Sequence, residues 1–173
     1  MITMITGGAR SGKSRYAAGQ ALKLSKRPVH VATARIWDEE FRERVNRHRA
    51  ERSEAWENLE EEKYPSRLPL EDRVVVIDCV TLWLTNFFTD LEGNVDYCLE
   101  AFQNEIRNLR RKKADVFIVT NEIGMGVHAD SEVGRKFTDL QGWANQYLAE
   151  QADRVILMVS GIPVQIKPEP YPW

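Results

Sequence analysis

Residues 6–14, TGGARSGKS, constrain the fold of this chain more than any other stretch of its 173 residues. From Gly7 to Gly12, Lys13 and Ser14 they match the pattern G-x-x-x-x-G-K-[ST] in full. Residues 1–6 are apolar and β-prone, and residues 14–24 are rich in Ala and Leu. The pattern therefore predicts a strand, a loop and a helix in that order.

This order of elements is typical of a loop that binds phosphate. Glycines let backbone N–H groups curve around the anion, and the following helix presents the positive end of its dipole. Lys13 is predicted to reach the β- and γ-phosphates, and the Ser14 hydroxyl to complete a Mg²⁺ shell. The other interpretation, a glycine turn that happens to precede a helix, is disfavoured by the lysine and serine. We expect the chain to bind a nucleoside triphosphate.

Composition indicates one globular domain, spanning residues 1–173, with 43% hydrophobic and 29% charged residues. A net charge of −2 argues against a protein that holds nucleic acid by bulk electrostatics. No apolar run approaches the ~20 residues that a membrane span needs. Cys79 and Cys98 have neither metal-ligand spacing nor a disulfide framework, and no signal pattern is visible. We therefore expect a cytoplasmic protein.

Alternating strand and helix patterns continue along the chain. Buried strands are predicted at residues 1–6, 29–34, 73–78, 116–120 and 154–159, with a short edge strand at 163–167. Helices are predicted at residues 12–24, 38–52, 81–91, 95–113 and 131–152. Residues 53–72 break the pattern and are predicted as a loop or an excursion from the sheet. The order favours an α/β fold, a P-loop NTPase-like three-layer α/β/α arrangement with a mostly parallel sheet. Residues 168–173, with three prolines, are predicted as a loose tail or a contact with a neighbouring subunit.

Asp78 ends the third predicted strand. In phosphate-loop enzymes a carboxylate at this position orders Mg²⁺ directly or through water. The alternative is an aspartate that only caps the next helix. Because Lys13 and Ser14 lie upstream, we favour a Mg²⁺ site formed by Ser14 and Asp78.

His48 lies on the predicted helix at 38–52, on one face with Phe41, Val45 and Arg52. It is surrounded by arginines that are suited to clamp a polyphosphate, namely Arg42, Arg44, Arg47, Arg49 and Arg52. Their positive field disfavours the imidazolium form, which leaves His48 neutral and nucleophilic. The alternatives are a semi-exposed histidine with no task and a solvated basic face.

Polar residues also follow the fourth predicted strand. Ligands of such sheets bind at the carboxyl ends of the strands, so Asn121 and Glu122 are expected to face the substrate cleft. The glycines that follow could form a flexible lid or a simple turn. Three further expectations concern single residues: His30 packs in the core, His128 is a weaker candidate for substrate contact, and Trp83 with Leu84 fills the core or a subunit interface.

Together these stretches resemble the family of bifunctional cobalamin-biosynthesis enzymes, adenosylcobinamide kinase/adenosylcobinamide-phosphate guanylyltransferase. The resemblance runs from residue 1 to about residue 167. It is carried by residues 6–14, 32–34, 44–49, 78–86, 120–126 and 160–167, together with Arg52, Trp56, Gly142, Asn145 and Gln146.

The resemblance implies two reactions. The aminopropanol hydroxyl of adenosylcobinamide is first phosphorylated with ATP or GTP, and GMP is then transferred from GTP to that phosphate with release of pyrophosphate. It also implies that His48 carries the GMP covalently between half-reactions, that Lys13 acts in catalysis, and that the protein is a homotrimer with a corrinoid as its substrate. The implied nucleotide contacts are Gly7, Gly8, Ala9, Arg10, Ser11, Gly12, Lys13, Ser14, Ala32, Thr33, Ala34, Arg49, Ala50, Glu51, Arg52, Glu60 and Asp78.

Two other functions stay open on the residues alone. One is a small-molecule kinase with the same loop and no covalent step. The other is a nucleotide-regulated switch, although the chain lacks the Asn-Lys-x-Asp motif with which regulatory GTPases read guanine. The base for the substrate hydroxyl is also open, with Asp78 and Glu122 as candidates.

Overall fold

A computed structural model describes residues 1–37, 39, 43 and 54–168 of the chain. The helix predicted at 38–52 falls outside the described residues, apart from Glu39 and Glu43, which have helical backbone. His48 and the arginines around it are among the residues that are not described. Residues 169–173 of the predicted tail also lie outside the described part.

The described residues form a seven-stranded sheet whose strands are β1 Ile2–Thr6, β2 Val29–Ala32, β3 Glu57–Glu60, β4 Val74–Asp78, β5 Asp115–Val119, β6 Arg154–Val159 and β7 Ile162–Lys167. Their order across the sheet is β3-β2-β4-β5-β1-β6-β7. Every neighbouring pair is parallel except β6 with β7. This confirms the prediction of a mostly parallel sheet with an edge strand near the C-terminus.

The helices with described bounds are α1 Lys13–Leu24, α2 Val80–Asp90, α3 Val95–Arg111 and α4 Glu132–Gln151. Each agrees with its predicted range to within two residues at either end. A short 3₁₀ turn at Pro65–Arg67 precedes β4. Within the described ranges, none of these helices has the length and hydrophobicity of a membrane span.

The two faces of the sheet bury different side chains because successive strand residues point in opposite directions. On one face Ile5, Val76 and Phe117 pack with Ala17 and Ala21 of α1. The other face packs against α2, α3 and α4, with core residues that include Ile2, Met4, Val75, Ile77, Trp83, Leu84, Phe102 and Leu140. The chain therefore forms the three layers that were predicted. Trp83 and Leu84 belong to the core, and His30 is buried in β2 as expected.

Residues 53–72 were predicted as a loop or an excursion from the sheet, and the prediction was wrong for one stretch of them. Four of them, Glu57–Glu60, form strand β3, which pairs in parallel with β2 at the edge of the sheet. Their sequence ENLE has one apolar residue, so neither periodicity nor hydrophobicity marks it as a strand. Strand β2 was also predicted too long. It ends at Ala32, in the same row as the last residues of β3 and β4, so Thr33 and Ala34 lie beyond the strand.

Candidate active site

The phosphate loop lies between β1 and α1, and its backbone requires glycine at two points. Gly7 has φ +146° and Gly12 has φ +93°, values that residues with a side chain rarely adopt. A Cβ atom on Gly7 would lie 2.5 Å from the carbonyl oxygen of Met158 in β6. The loop also accepts a hydrogen bond at the Ser11 carbonyl from the Gly161 N–H, at 3.0 Å. The hairpin of β6 and β7 therefore fixes the shape of the loop from outside.

Lys13 is the first residue of α1, and only 7% of it is exposed. Its Nζ donates to the Gly8 carbonyl at 2.6 Å, so the ammonium lies inside the curve of the loop. Burial lowers the pKa of Lys13, and negative charge at Cys79 and Asp78 opposes this shift. Burial also raises the pKa of the Cys79 thiol to about 11. At neutral pH the opposing charge is therefore the Asp78 carboxylate, which places this carboxylate in the electrostatic neighbourhood of Lys13.

Among the described residues, no side chain caps the start of α1, and the first turn of this helix has no acidic residue. The starts of α3 and α4 differ, because Asn94 accepts from the Tyr97 N–H and Ser131 accepts from the Gly134 N–H. First-turn N–H groups of a helix need partners outside the helix, and an anion is a suitable partner. The first turn of α1, which includes the exposed Ser14, is thus suited to bind phosphate oxygens.

The strand register brings three of the predicted nucleotide contacts into one row. Ala32 in β2 lies opposite Glu60 on one side and opposite Asp78 on the other. Neighbouring strands are about 4.8 Å apart, so the backbones of Glu60 and Asp78 are on the order of 10 Å apart. These residues come from positions far apart in the sequence, and all three end their strands at the carboxyl edge of the sheet.

Thr33, the residue after this row, is fully buried and holds the end of β2 beside Asp78 and Cys79. Its hydroxyl donates to the Cys79 carbonyl at 2.8 Å, and its N–H donates to the Asp78 carbonyl at 3.3 Å. The hydroxyl proton of Thr33 is already donated within the protein. We therefore assign Thr33 a positioning role, in which it holds the end of β2 in place. A nucleotide contact at residues 32–34 stays a prediction.

An ionic cluster that sequence reasoning missed joins the segment after β2 to the end of α2. We call it the charge clamp, and it consists of Arg35, Glu62, Lys63 and Asp90. Arg35 bonds to Glu62 at 2.6 Å and to Asp90 at 2.7 Å, and Lys63 bonds to Asp90 at 2.6 Å. Hydrogen bonds from Arg35 and then Lys63 hold the pKa of Asp90 well below its usual range. No local pattern could have revealed the clamp, because its members come from three separate segments.

Asn86 of α2 reinforces the same connection from inside. Its buried side-chain amide donates to the Thr33 carbonyl at 2.7 Å and to the Glu62 carbonyl at 2.9 Å. The segments that follow β2 and β3 are therefore both bonded to one side chain of α2.

Asn121 and Glu122 lie beside the phosphate loop, at the edge of the sheet where they were expected. The Glu122 N–H donates to the Gly7 carbonyl at 3.1 Å, which joins the end of β5 to the start of the loop. Their side chains contact the protein: Asn121 donates to the Thr81 hydroxyl at 2.9 Å, and the Glu122 carboxylate accepts from the Gly124 N–H at 2.9 Å. Asp78 and Glu122 are the two candidate bases for the substrate hydroxyl. The Glu122 carboxylate already accepts a hydrogen bond from its own loop.

A buried polar network holds this region against α4. Thr120 donates to the Asn145 side chain at 2.6 Å, and Gln141 donates to the oxygens of both at 3.1 Å. Asn145 also donates to the Asn121 carbonyl at 3.0 Å. The network fixes where the chain leaves β5 and enters the loop beside Gly7.

The remaining predicted site residues have different outcomes. Glu60 and His128 are exposed. His48, Arg49, Ala50, Glu51 and Arg52 lie outside the described residues, so their roles stay predictions.

Ser14 and Asp78 supply a hydroxyl and a carboxylate near Lys13. These oxygen donors fit Mg²⁺, which accepts one or two protein ligands alongside phosphate and water.

Comparison with known proteins identifies the family. Residues 3–166 match the family model described as "Cobinamide kinase / cobinamide phosphate guanyltransferase". The chain is 38% identical to the bifunctional adenosylcobalamin biosynthesis protein CobU of Escherichia coli, across 96% of this chain and 100% of that one. It is 36% identical to CobP of Pseudomonas aeruginosa, described in the same words, across 98% and 99% of the two chains. CobU of Salmonella typhimurium is also 36% identical, across 96% and 100%.

Among solved structures, an ATPase domain matches with a TM-score of 0.44 and 12% identity, across 90% of this chain and 68% of that one. Membership therefore follows from the sequence relatives and the family model, which cover nearly the whole chain. This chain belongs to the cobinamide kinase / cobinamide phosphate guanyltransferase family.

Proposed function

We propose that this protein carries out two successive reactions on adenosylcobinamide. It phosphorylates the aminopropanol hydroxyl with ATP or GTP, and it then transfers GMP from GTP to the new phosphate through a covalent intermediate on His48. Family membership over residues 3–166 supports both activities. The observation that carries the proposal is the phosphate loop, where the buried ammonium of Lys13 lies inside the curve and the Asp78 carboxylate is close enough to affect it.

In the first reaction the chain mainly positions and neutralises phosphates. Lys13 exchanges its bond to the Gly8 carbonyl for bonds to phosphate oxygens, and the uncapped first turn of α1 adds backbone N–H donors. Electrostatic stabilisation of this kind is strong because the ammonium is buried. The negative charge of the Asp78 carboxylate opposes the lowering of the Lys13 pKa by burial.

Mg²⁺ is the metal that the donors fit. Ser14 and Asp78 would hold it together with phosphate oxygens and water. When bound, it neutralises charge on the phosphates.

In the second reaction the neutral imidazole of His48 attacks the α-phosphorus of GTP, and pyrophosphate leaves. The phosphate of the corrinoid then attacks the same phosphorus and displaces the histidine. Two displacements at one phosphorus let each proceed in line. Support for this step is the sequence around His48, where the arginines supply positive charge for the leaving pyrophosphate.

The test uses GTP labelled at the α-phosphate, without corrinoid. We expect an acid-labile adduct on the wild-type protein and none on His48→Ala, while His128→Ala, which removes an exposed histidine, is labelled like wild type. We also expect His48→Ala to phosphorylate adenosylcobinamide from γ-labelled nucleotide. If His48→Ala is labelled as well as wild type, the assignment of the histidine is wrong. If wild type phosphorylates the corrinoid but never acquires the α-label, the protein is a kinase without the covalent step.

The proposal includes a homotrimer located in the cytoplasm. Free, buried thiols at Cys79 and Cys98 are compatible with a reducing compartment. Light scattering should give a mass three times that of one chain, and a monomer would contradict the trimer.

A further inference from the structure

The loop after Glu122 exposes an unusual run of apolar side chains. In residues 123–127, three large apolar residues alternate with glycines. Ile123 is 36% exposed, Met125 84% and Val127 97%. Single exposed apolar residues are ordinary on a protein surface, whereas adjacent ones mark surfaces that bind something. We call this segment the apolar loop.

Both ends of the apolar loop are held in place. At its start, the Glu122 N–H bonds to the Gly7 carbonyl and the Glu122 carboxylate bonds to the Gly124 N–H. After its end, the Arg135 guanidinium donates to the carbonyls of Ala129 and Asp130, at 3.2 and 2.8 Å. The exposed side chains thus lie on a segment that begins beside the phosphate loop and is bonded to the protein at both of its ends.

The chemistry of the apolar loop indicates the kind of ligand. Residues 123–129 contain no Asp, Glu, Lys or Arg, so this surface suits a partner that presents an apolar face. A corrin ring carries methyl groups and neutral amide side chains, and it is far larger than the hydroxyl that reacts. Since that hydroxyl must approach the terminal phosphate, the body of the acceptor has to lie near the phosphate loop. The backbone bond between Glu122 and Gly7 puts the apolar loop in this position.

We propose that the apolar loop binds the corrin ring of the acceptor, through the side chains of Met125 and Val127. The inference rests on the proposed function and adds the surface that recognises the acceptor. Another copy of this chain is a weaker occupant, because three side chains cover far less than the roughly 800 Å² per partner that a stable interface buries.

The test is a double variant, Met125→Ser with Val127→Ser. We expect the KM for adenosylcobinamide to rise about tenfold, because contact between the ring and two apolar side chains is lost. The Kd for GTP and the melting temperature should match those of wild type, because these side chains touch neither the nucleotide loop nor the core. The matched control is Leu22→Ser with Leu24→Ser, which removes two exposed apolar residues at the end of α1 remote from the phosphate loop and should leave the KM for adenosylcobinamide and the Kd for GTP unchanged.

An unchanged KM in the loop variant would overturn the inference. If the loop variant has a different oligomeric mass from wild type and an unchanged KM, the inference is wrong, and the apolar loop contacts a second copy of the chain instead. Equilibrium dialysis with adenosylcobinamide separates this inference from the proposed function. If wild type binds the corrinoid without turning it over and the loop variant binds it about tenfold more weakly, the proposed function fails and the loop assignment stands. Equal binding by the two proteins, or no binding by wild type, refutes the loop assignment.

Discussion

The side-chain amide of Asn86 donates a hydrogen bond to the carbonyl of Thr33 at 2.7 Å, and this bond joins α2 to the first residue after β2. A second bond from the same amide reaches the Glu62 carbonyl at 2.9 Å. Asn86 is 1% exposed and its bond to Thr33 is buried, so water cannot readily replace that bond. One side chain thereby sets the position of residues 32–34, which are predicted to contact the nucleotide.

Asn86→Leu should destabilise the protein by about 1 to 3 kcal/mol, because the buried Thr33 carbonyl and the partly buried Glu62 carbonyl lose their donor. It should also raise the KM for the nucleotide, because the end of β2 is no longer held beside Asp78. Urea unfolding and steady-state kinetics measure the two effects. Thr85→Ala is the matched control in the same helix, since the Thr85 hydroxyl donates to the Thr81 carbonyl one turn earlier. A loss of stability no larger than that of the control would show that Asn86 does not hold these segments.

Gly7→Ala and Gly8→Ala should behave very differently although they are neighbours. At Gly7 the new Cβ would lie 2.5 Å from the Met158 carbonyl oxygen and 2.9 Å from the Ser11 hydroxyl, at φ +146°. At Gly8 it would meet no atom of the described residues within 4 Å. We expect Gly7→Ala to lower the melting temperature and abolish nucleotide binding, whereas Gly8→Ala keeps the wild-type melting temperature. Calorimetry with and without GTP measures both, and equal melting temperatures for the two variants would contradict the packing at Gly7.

Lys13→Met should lower kcat/KM for phosphorylation by about 100-fold or more, because the buried ammonium that faces the phosphates is lost. The free energy of unfolding should change by less than about 1 kcal/mol, since removing a buried charge offsets the lost bond to Gly8. Initial rates and urea unfolding test this combination. Lys23→Met, at the other end of α1, is the control and should leave the rates unchanged. Activity of Lys13→Met near the wild-type level would exclude Lys13 from catalysis.

The charge clamp predicts a dependence of stability on pH. Arg35 and Lys63 lower the pKa of Asp90 below its ordinary value of 3.8, so the folded state favours the carboxylate. This contribution is complete above pH 3.8 and is lost as the pH falls through the folded-state pKa. Asp90→Asn should therefore cost about 1 kcal/mol at pH 6 and less at pH 3.

Urea unfolding of wild type and Asp90→Asn at the two pH values measures this difference. The difference at pH 6 should shrink in 1 M salt, because the clamp is partly exposed and salt screens such charges. A constant difference between the two proteins from pH 6 to pH 3 would show that the ionic bonds of Asp90 do not contribute to stability.

Local sequence patterns were sufficient to predict the phosphate loop and most strands of the sheet. Strand β4 begins with four consecutive β-branched residues, and α1 directly follows the glycines, so both follow from neighbouring residues. The functional assignment of His48 also came from sequence alone, and it stays a prediction because that residue is outside the described part of the chain.

Strand β3, the charge clamp and the placement of Asn86 could not be predicted in this way. The residues of β3 form a strand because β2 offers them hydrogen bonds, and Arg35 meets Asp90 across 55 positions of sequence. Such contacts depend on how separate segments pack, which hydrophobic periodicity does not encode.

By itself, the sequence determined the phosphate loop, the strands other than β3, the four helices with described bounds, and the family. These properties depend on glycine conformations and side-chain periodicities that act within a few residues. Tertiary structure alone decided that Ala32 lies between Glu60 and Asp78, that Met158 excludes a side chain at Gly7, and that Glu122 bonds to the loop. The physical reason is that strand register and close packing bring together atoms whose positions no single segment can fix.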